Sequence, residues 1–143
     1  MAYRRGTFDR VFLVRWTELA LPDLDVILRE MRARRDALAR PLIYVSIIAE
    51  SAPVPSSAER EGLRNFGTKS KVVCEGAYII IEGGSVKHSL QRTVLTGLMY
   101  LAQEEGFYFR VHKDFHEVAT KIGATSAIDP VLMETEFRKQ GLI

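Results

Sequence analysis

Four short runs rich in β-branched and aromatic residues, Val11–Trp16, Leu42–Ile48, Ala77–Ile81 and Phe107–Val111, are each followed by a segment with helical signals. This alternation constrains the chain more than any other feature, because helices placed between strands cover a sheet that could not bury an apolar face alone. It predicts an α/β fold: a single-domain sandwich in which a mostly four-stranded mixed sheet is covered by helices. With 143 residues, 47% of them hydrophobic, the chain has material for one core and no room for a second domain.

Residues 8–16 read as the first strand, with Arg10 and Arg15 set among Val11, Leu13 and Trp16. Only Tyr3-Arg4-Arg5 precedes Gly6, so no earlier strand is legible. After Leu21-Pro22-Asp23, the residues Leu24, Ile27, Leu28, Met31 and Leu38 recur at helical spacing until Pro41 ends the pattern. Leu42–Ile48 is almost unbroken in its apolarity, which suits a central strand covered on both sides. Pro53 and Pro55 make the next stretch a loop, and Ser56 with Glu59 forms a capping-box pattern for a short charged helix that runs through Leu63 and Phe66 to a stop at Gly67.

Val72-Val73-Cys74 and Ala77–Ile81 flank Glu75-Gly76, so the third strand is either one bulged strand or two pieces. Gly83-Gly84-Ser85 leads into a long helix striped with Val86, Leu90, Val94, Leu98 and Leu101. Phe107–Val111 is the fourth strand, and Asp114 caps a helix that closes at Gly123. Asp129-Pro130 then starts a last helix with Leu132, Met133 and Phe137. The expected organisation is an α/β domain over residues 1–128 and a C-terminal helix over 129–143 that either caps the sheet or pairs two subunits in a homodimer.

Lys and Arg number 20 against 18 Asp and Glu, so whole-molecule charge does not drive the chain onto nucleic acid or an anionic membrane. Arg29, Arg32, Arg34, Arg35 and Arg40 are interleaved with Asp23, Asp25, Glu30 and Asp36, as on a solvated helix face, and no aromatic residues sit among them to stack bases. The single cysteine excludes an internal disulfide framework, and the N-terminus lacks the apolar core of a signal peptide. The apolar stretches fall short of a transmembrane span. A soluble cytoplasmic protein is expected.

The order strand, helix, strand, short helix, strand, long helix, strand, helix resembles the STAS fold of anti-sigma-factor antagonists and the related STAS/SEC14-type bacterial domains. The resemblance spans roughly residues 8–123 and rests on Trp16-Thr17-Glu18 running into Pro22-Asp23-Leu24, on strand Ile43–Ile48, on the loop-to-helix step at Ser56-Ser57, and on the closing strand and helix, Phe107–Ile122. It implies a non-catalytic regulatory module that docks on another protein in signalling. It also implies an N-terminal hairpin and, in its best-known branch, a phosphorylated serine at the start of the second major helix. Here that junction holds Ser51, Ser56 and Ser57, and a proline-rich insert replaces the Asp-Ser pair usual in the family.

Ser51, Ser56 and Ser57 are therefore the candidate phosphorylation or anion site, since a helix N-terminus favours phosphate and Arg60 and Arg64 follow within two turns. Arg60, Arg64, Leu132, Met133 and Phe137 are the candidate partner-binding residues. Other groupings carry less. Gly83-Gly84-Ser85 with Lys87 and His88 lacks the spacing of a phosphate-binding loop and serves as a turn. His112 and His116 straddle the capping Asp114, so their imidazoles need not converge on a metal. Cys74 lies among valines as a small apolar residue, and Glu59-Glu61 and Glu104-Glu105 are surface pairs. No catalytic group, metal or cofactor is expected. The alternative reading is a small-molecule or lipid-binding module of the SEC14 type, with a cavity near Leu90, Leu98 and Tyr100.

Overall fold

A computed structural model describes residues 2–85 and 107–143, which form an α/β sandwich around one mixed sheet. The sheet has five strands where four were expected: β1 (Tyr3–Phe8), β2 (Val11–Trp16), β3 (Leu42–Ile48), β4 (Cys74–Ile81) and β5 (Tyr108–His112). They lie side by side in chain order, β1 antiparallel to β2 and each later pair parallel. The helices among the described residues are α1 (Leu21–Leu38), α2 (Ser57–Ser70), α3 (Phe115–Thr125) and α4 (Pro130–Lys139). The long helix expected from Val86 to Leu101, with Lys87, His88, Tyr100 and Glu104-Glu105, lies outside the described residues.

The extra strand arises because the run expected as one strand over 8–16 folds back on itself. Phe8 pairs with Val11 across a two-residue turn in which Asp9 takes φ 52°, a left-handed conformation that aspartate tolerates better than most residues. Strand β1 carries two arginines and a glycine, a poor local strand signal, and its place is set by what lies over it. A Cβ on Gly6 would collide with Gln140 and Leu142, so the glycine lets the C-terminal segment close onto β1.

Strand β4 is continuous from Cys74 across Glu75-Gly76, which settles the alternative left open there, while Val72 and Val73, expected in the strand, lie in the turn before it. Leu42 pairs with Cys74 but the next residue, Ile43, pairs with Gly76, so Glu75 is the extra residue of a bulge. The consequence is visible in the core: Cys74 and Ala77, three apart, point to the same face, which an unbulged strand could not achieve.

Two of the helices run past their expected ends. Helix α2 continues beyond Gly67 to Ser70, because Phe66 and Ser70 are buried and hold the last turn in place against the roughly 1 kcal/mol cost of a helical glycine. Helix α3 continues beyond Gly123 to Thr125; that glycine serves contact rather than termination, since a Cβ there would press within 2.8 Å of Pro130 at the start of α4.

Each sheet face has its own core. On one, Phe12, Val14, Trp16 and Tyr44 meet Leu24, Ile27, Leu28 and Met31 of α1 and Phe66 of α2. Parallel strands that step one way across a sheet place right-handed crossovers on a single face, and α1 and α2 share this one. On the other face, Leu13, Val45, Ile47 and Ile80 meet Val118 and Ile122 of α3 and Met133 and Phe137 of α4. Helix α4 thus caps the sheet. Met133 and Phe137 are 0% exposed, so they are corrected from partner-binding to core residues; each buried side chain contributes about 1.5–3 kcal/mol that exposure would forfeit.

Candidate functional site

The junction between β3 and α2 lies at the C-terminal end of the central strand, where the parallel strands end. Strand β3 is fixed there by backbone bonds on both sides, Ala49 N–H to Trp16 O (2.9 Å) and Glu82 N–H to Ile48 O (3.0 Å), and the chain then turns through Ala52 N–H to Ala49 O (2.9 Å). From Glu50 to Ser57 the residues are exposed or half-buried, with no strand or helix until Ser57.

Helix α2 starts as its sequence dictates. The Ser56 N–H donates to Glu59 Oε1 (2.9 Å) and the Glu59 N–H donates to Ser56 Oγ (3.2 Å), a complete capping box. The hydrogen bonds from the Ser56 backbone and hydroxyl hold the Glu59 carboxyl below its usual range. Ser57 is bound differently: Arg60 donates through Nη2 to its Oγ (3.0 Å) and through Nη1 to the Pro55 carbonyl (3.3 Å). Arg64, one turn on, pairs with Glu61 (2.9 Å), both side chains well exposed. The three serines are chemically unequal as a result. Phosphate on Ser56 would face the Glu59 carboxylate and break the cap, whereas phosphate on Ser57 would meet a guanidinium already in place at the first helical position. Ser51 lies exposed in the turn.

The C-terminal candidates separate from this junction. Met133 and Phe137 are inside the opposite core, and only Leu132, beside Val131, stays on the surface, at 59% and 70% exposure. The two histidines do not converge: His112 Nδ1 lies 3.0 Å from Glu117 Oε2 and His116 Nδ1 lies 2.9 Å from Glu134 Oε1, so each imidazole is engaged by a different carboxylate. Among the described residues no group of three or more His, Cys, Asp or Glu side chains is placed to hold a metal. Cys74 is buried, and burial pushes its thiol up to about 12, the opposite of what a nucleophile requires. Gly83 takes φ 126° in the turn after β4.

Clefts open on both faces of the sheet among the described residues. One, of about 250 Å³, lies over Ile47, Ile80 and Phe115 between α3 and α4; the other, of about 180 Å³, lies between α1 and α2 over Leu24, Leu28 and Phe66. Both are smaller than the roughly 300–1,000 Å³ of a typical small-molecule pocket. The cavity expected near Leu90, Leu98 and Tyr100 falls outside the described residues.

The sequence reading missed two ion pairs that tie distant strands together. Arg10, in the β1–β2 turn and 8% exposed, pairs with Glu75 at the β4 bulge and donates to the Pro41 carbonyl (3.3 Å). Arg15 reaches from β2 to Glu82 with two bonds, 2.6 and 3.1 Å. The available signal was the placement of two arginines inside an otherwise apolar strand run, since a charge held in a core-forming element needs a partner. No family model, curated protein or solved structure matches the chain. No helix among the described residues is long and apolar enough to cross a membrane.

Proposed function

We propose that the chain is a non-catalytic regulatory module of the STAS type that works in the cytoplasm by binding another protein through the β3–α2 junction, with serine modification there as the switch. The observation that carries this reading is the state of Ser57: exposed, at the first position of a capped helix, with Arg60 on its hydroxyl and Arg64 a turn further on. The N-terminal antiparallel hairpin, which the resemblance to STAS domains calls for, supports the architecture. Helix α4 buries Met133 and Phe137 in its own domain, and its exposed Val131 and Leu132 are the apolar residues it offers to a second subunit.

The test is native mass spectrometry of the untagged protein purified from its own cells, followed by Ser57→Ala and Ser57→Asp. The expected result is a second protein in the complex, retained by Ser57→Ala and released by Ser57→Asp. A chain that is bare under every growth condition, or a complex indifferent to both substitutions, would refute the switch. A small molecule held at stoichiometric level would favour the SEC14-type reading instead.

A further inference from the structure

The cleft between α3 and α4 opens at the carboxyl ends of β3 and β4, the end at which open α/β sheets receive ligands. Its floor is apolar: Ile47 and Ile80, which pair across the two strands, and Phe115 at the start of α3. Its rim is charged, with Glu82, Asp114, His116, Glu134 and Arg138. A volume of about 250 Å³ falls short of a drug-sized pocket. It equals about eight water volumes, room for a molecule the size of leucine.

Most of the rim is already engaged. Both oxygens of Glu82 are bonded to Arg15 (2.6 and 3.1 Å), Asp114 Oδ1 accepts from the Glu117 N–H (2.9 Å), and Glu134 Oε1 lies 2.9 Å from His116 Nδ1. Arg138 is the exception. It stands four residues after Glu134 on α4, the order and spacing that favour a glutamate–cation pair on a helix, but Glu134 turns to His116 instead. Among the described residues the Arg138 side chain has no hydrogen bond or ion pair, and the second oxygens of Asp114 and Glu134 accept none.

Unpaired groups of both signs therefore border one apolar floor. The cleft holds two guanidiniums, Arg138 and the Arg15 bonded to its rim, against three carboxylates, Glu82, Asp114 and Glu134. A lone anion meets this surplus of acid, and a lone cation meets Arg138. A ligand that carries both charges side by side satisfies both. We infer that the α3–α4 cleft binds a free α-amino acid with an apolar side chain: its carboxylate on Arg138, its ammonium on the open oxygens of Asp114 and Glu134, and its side chain on Ile47, Ile80 and Phe115. Cβ atoms four residues apart on a helix are about 5–6 Å from each other, so a group inserted between Glu134 and Arg138 can touch both. A peptide terminus offers only one of the two charges, which restricts the site to the free amino acid. The assignment does not depend on the partner proposed at the β3–α2 junction.

The experiment titrates the isotope-labelled full chain with L-leucine and with L-phenylalanine, followed through its amide NMR signals. Leucinamide and phenylalaninamide carry an amide in place of the carboxylate, and isocaproate and hydrocinnamate lack the ammonium; each is titrated in the same way. The expected result is saturable movement of the Ile80, Phe115 and His116 signals with at least one of the two amino acids, at a Kd no weaker than about 1 mM. Both analogues of that amino acid should bind at least about tenfold more weakly. Arg138→Gln, a change at an exposed side chain, should weaken it at least about tenfold with the melting temperature unchanged. No saturable movement with both amino acids up to about 10 mM, movement confined to residues outside the cleft, equal binding of an analogue, or undiminished binding by Arg138→Gln would each overturn the site.

Discussion

Arg10 is nearly buried in a two-residue turn, and its partner Glu75 is the one residue that the β4 bulge pushes out of the ladder. The pair ties the first hairpin to the fourth strand, and Arg10→Ala would strand a carboxylate and a carbonyl together. The expected loss is about 1–3 kcal/mol, below the range for a fully buried pair because Glu75 is one-third exposed. Urea denaturation measures it, and a double-mutant cycle with Glu75→Ala should show coupling between the two sites. The capping box behaves differently because it titrates. Glu59 has its folded pKa held below the unfolded value, so its contribution is present above the ordinary carboxylate range and disappears as pH falls through the depressed value. Wild type should therefore exceed Glu59→Gln in stability at neutral pH, with the two curves merging under acid; a gap independent of pH would disprove the linkage. The cap was legible from sequence because its partners are three residues apart. The Arg10–Glu75 pair was not, since only folding brings those residues together.

Among the elements, α4 shows how an apolar periodicity can identify a helix and leave open which surface it meets. The periodicity of Leu132, Met133 and Phe137 identifies a helix with an apolar side, and Asp129-Pro130 marks its start, with Asp129 Oδ1 accepting from the N–H groups of Val131 (2.9 Å) and Leu132 (3.1 Å). Nothing in that pattern says whether the side meets its own domain or another chain. Phe137 in fact stands edge-on to Phe115, with ring centroids 5.7 Å apart, and also against Phe8. Deleting residues 129–143 removes Met133, Phe137 and Leu142 from the core, about 5–9 kcal/mol of burial at 1.5–3 kcal/mol each, comparable with the entire stability of a small domain. The truncated chain is expected to lose its cooperative thermal transition; a truncated chain that melts as sharply as the full one would show that α4 is dispensable.

For the molecule as a whole, two cores on opposite faces of one sheet imply that the sheet's interior is reached only by general opening. Cys74 reports on this directly. A thiol-labelling reagent at pH 8 should modify it at a rate that rises with urea along the slope of global unfolding, because the thiol is both buried and far from ionised in the native state. Rapid labelling without denaturant would reveal a local opening of β4. At this scale the sequence alone determined the α/β class, most strands and helices, and the capped start of α2, since periodicity, prolines and caps act over a few residues. Tertiary structure decided the fifth strand, the bulge at Glu75, the lengths of α2 and α3 and the inward placement of α4. These depend on what is laid over Gly6, Phe66, Gly123 and Phe137, and such contacts join residues whose separation along the chain leaves no local pattern.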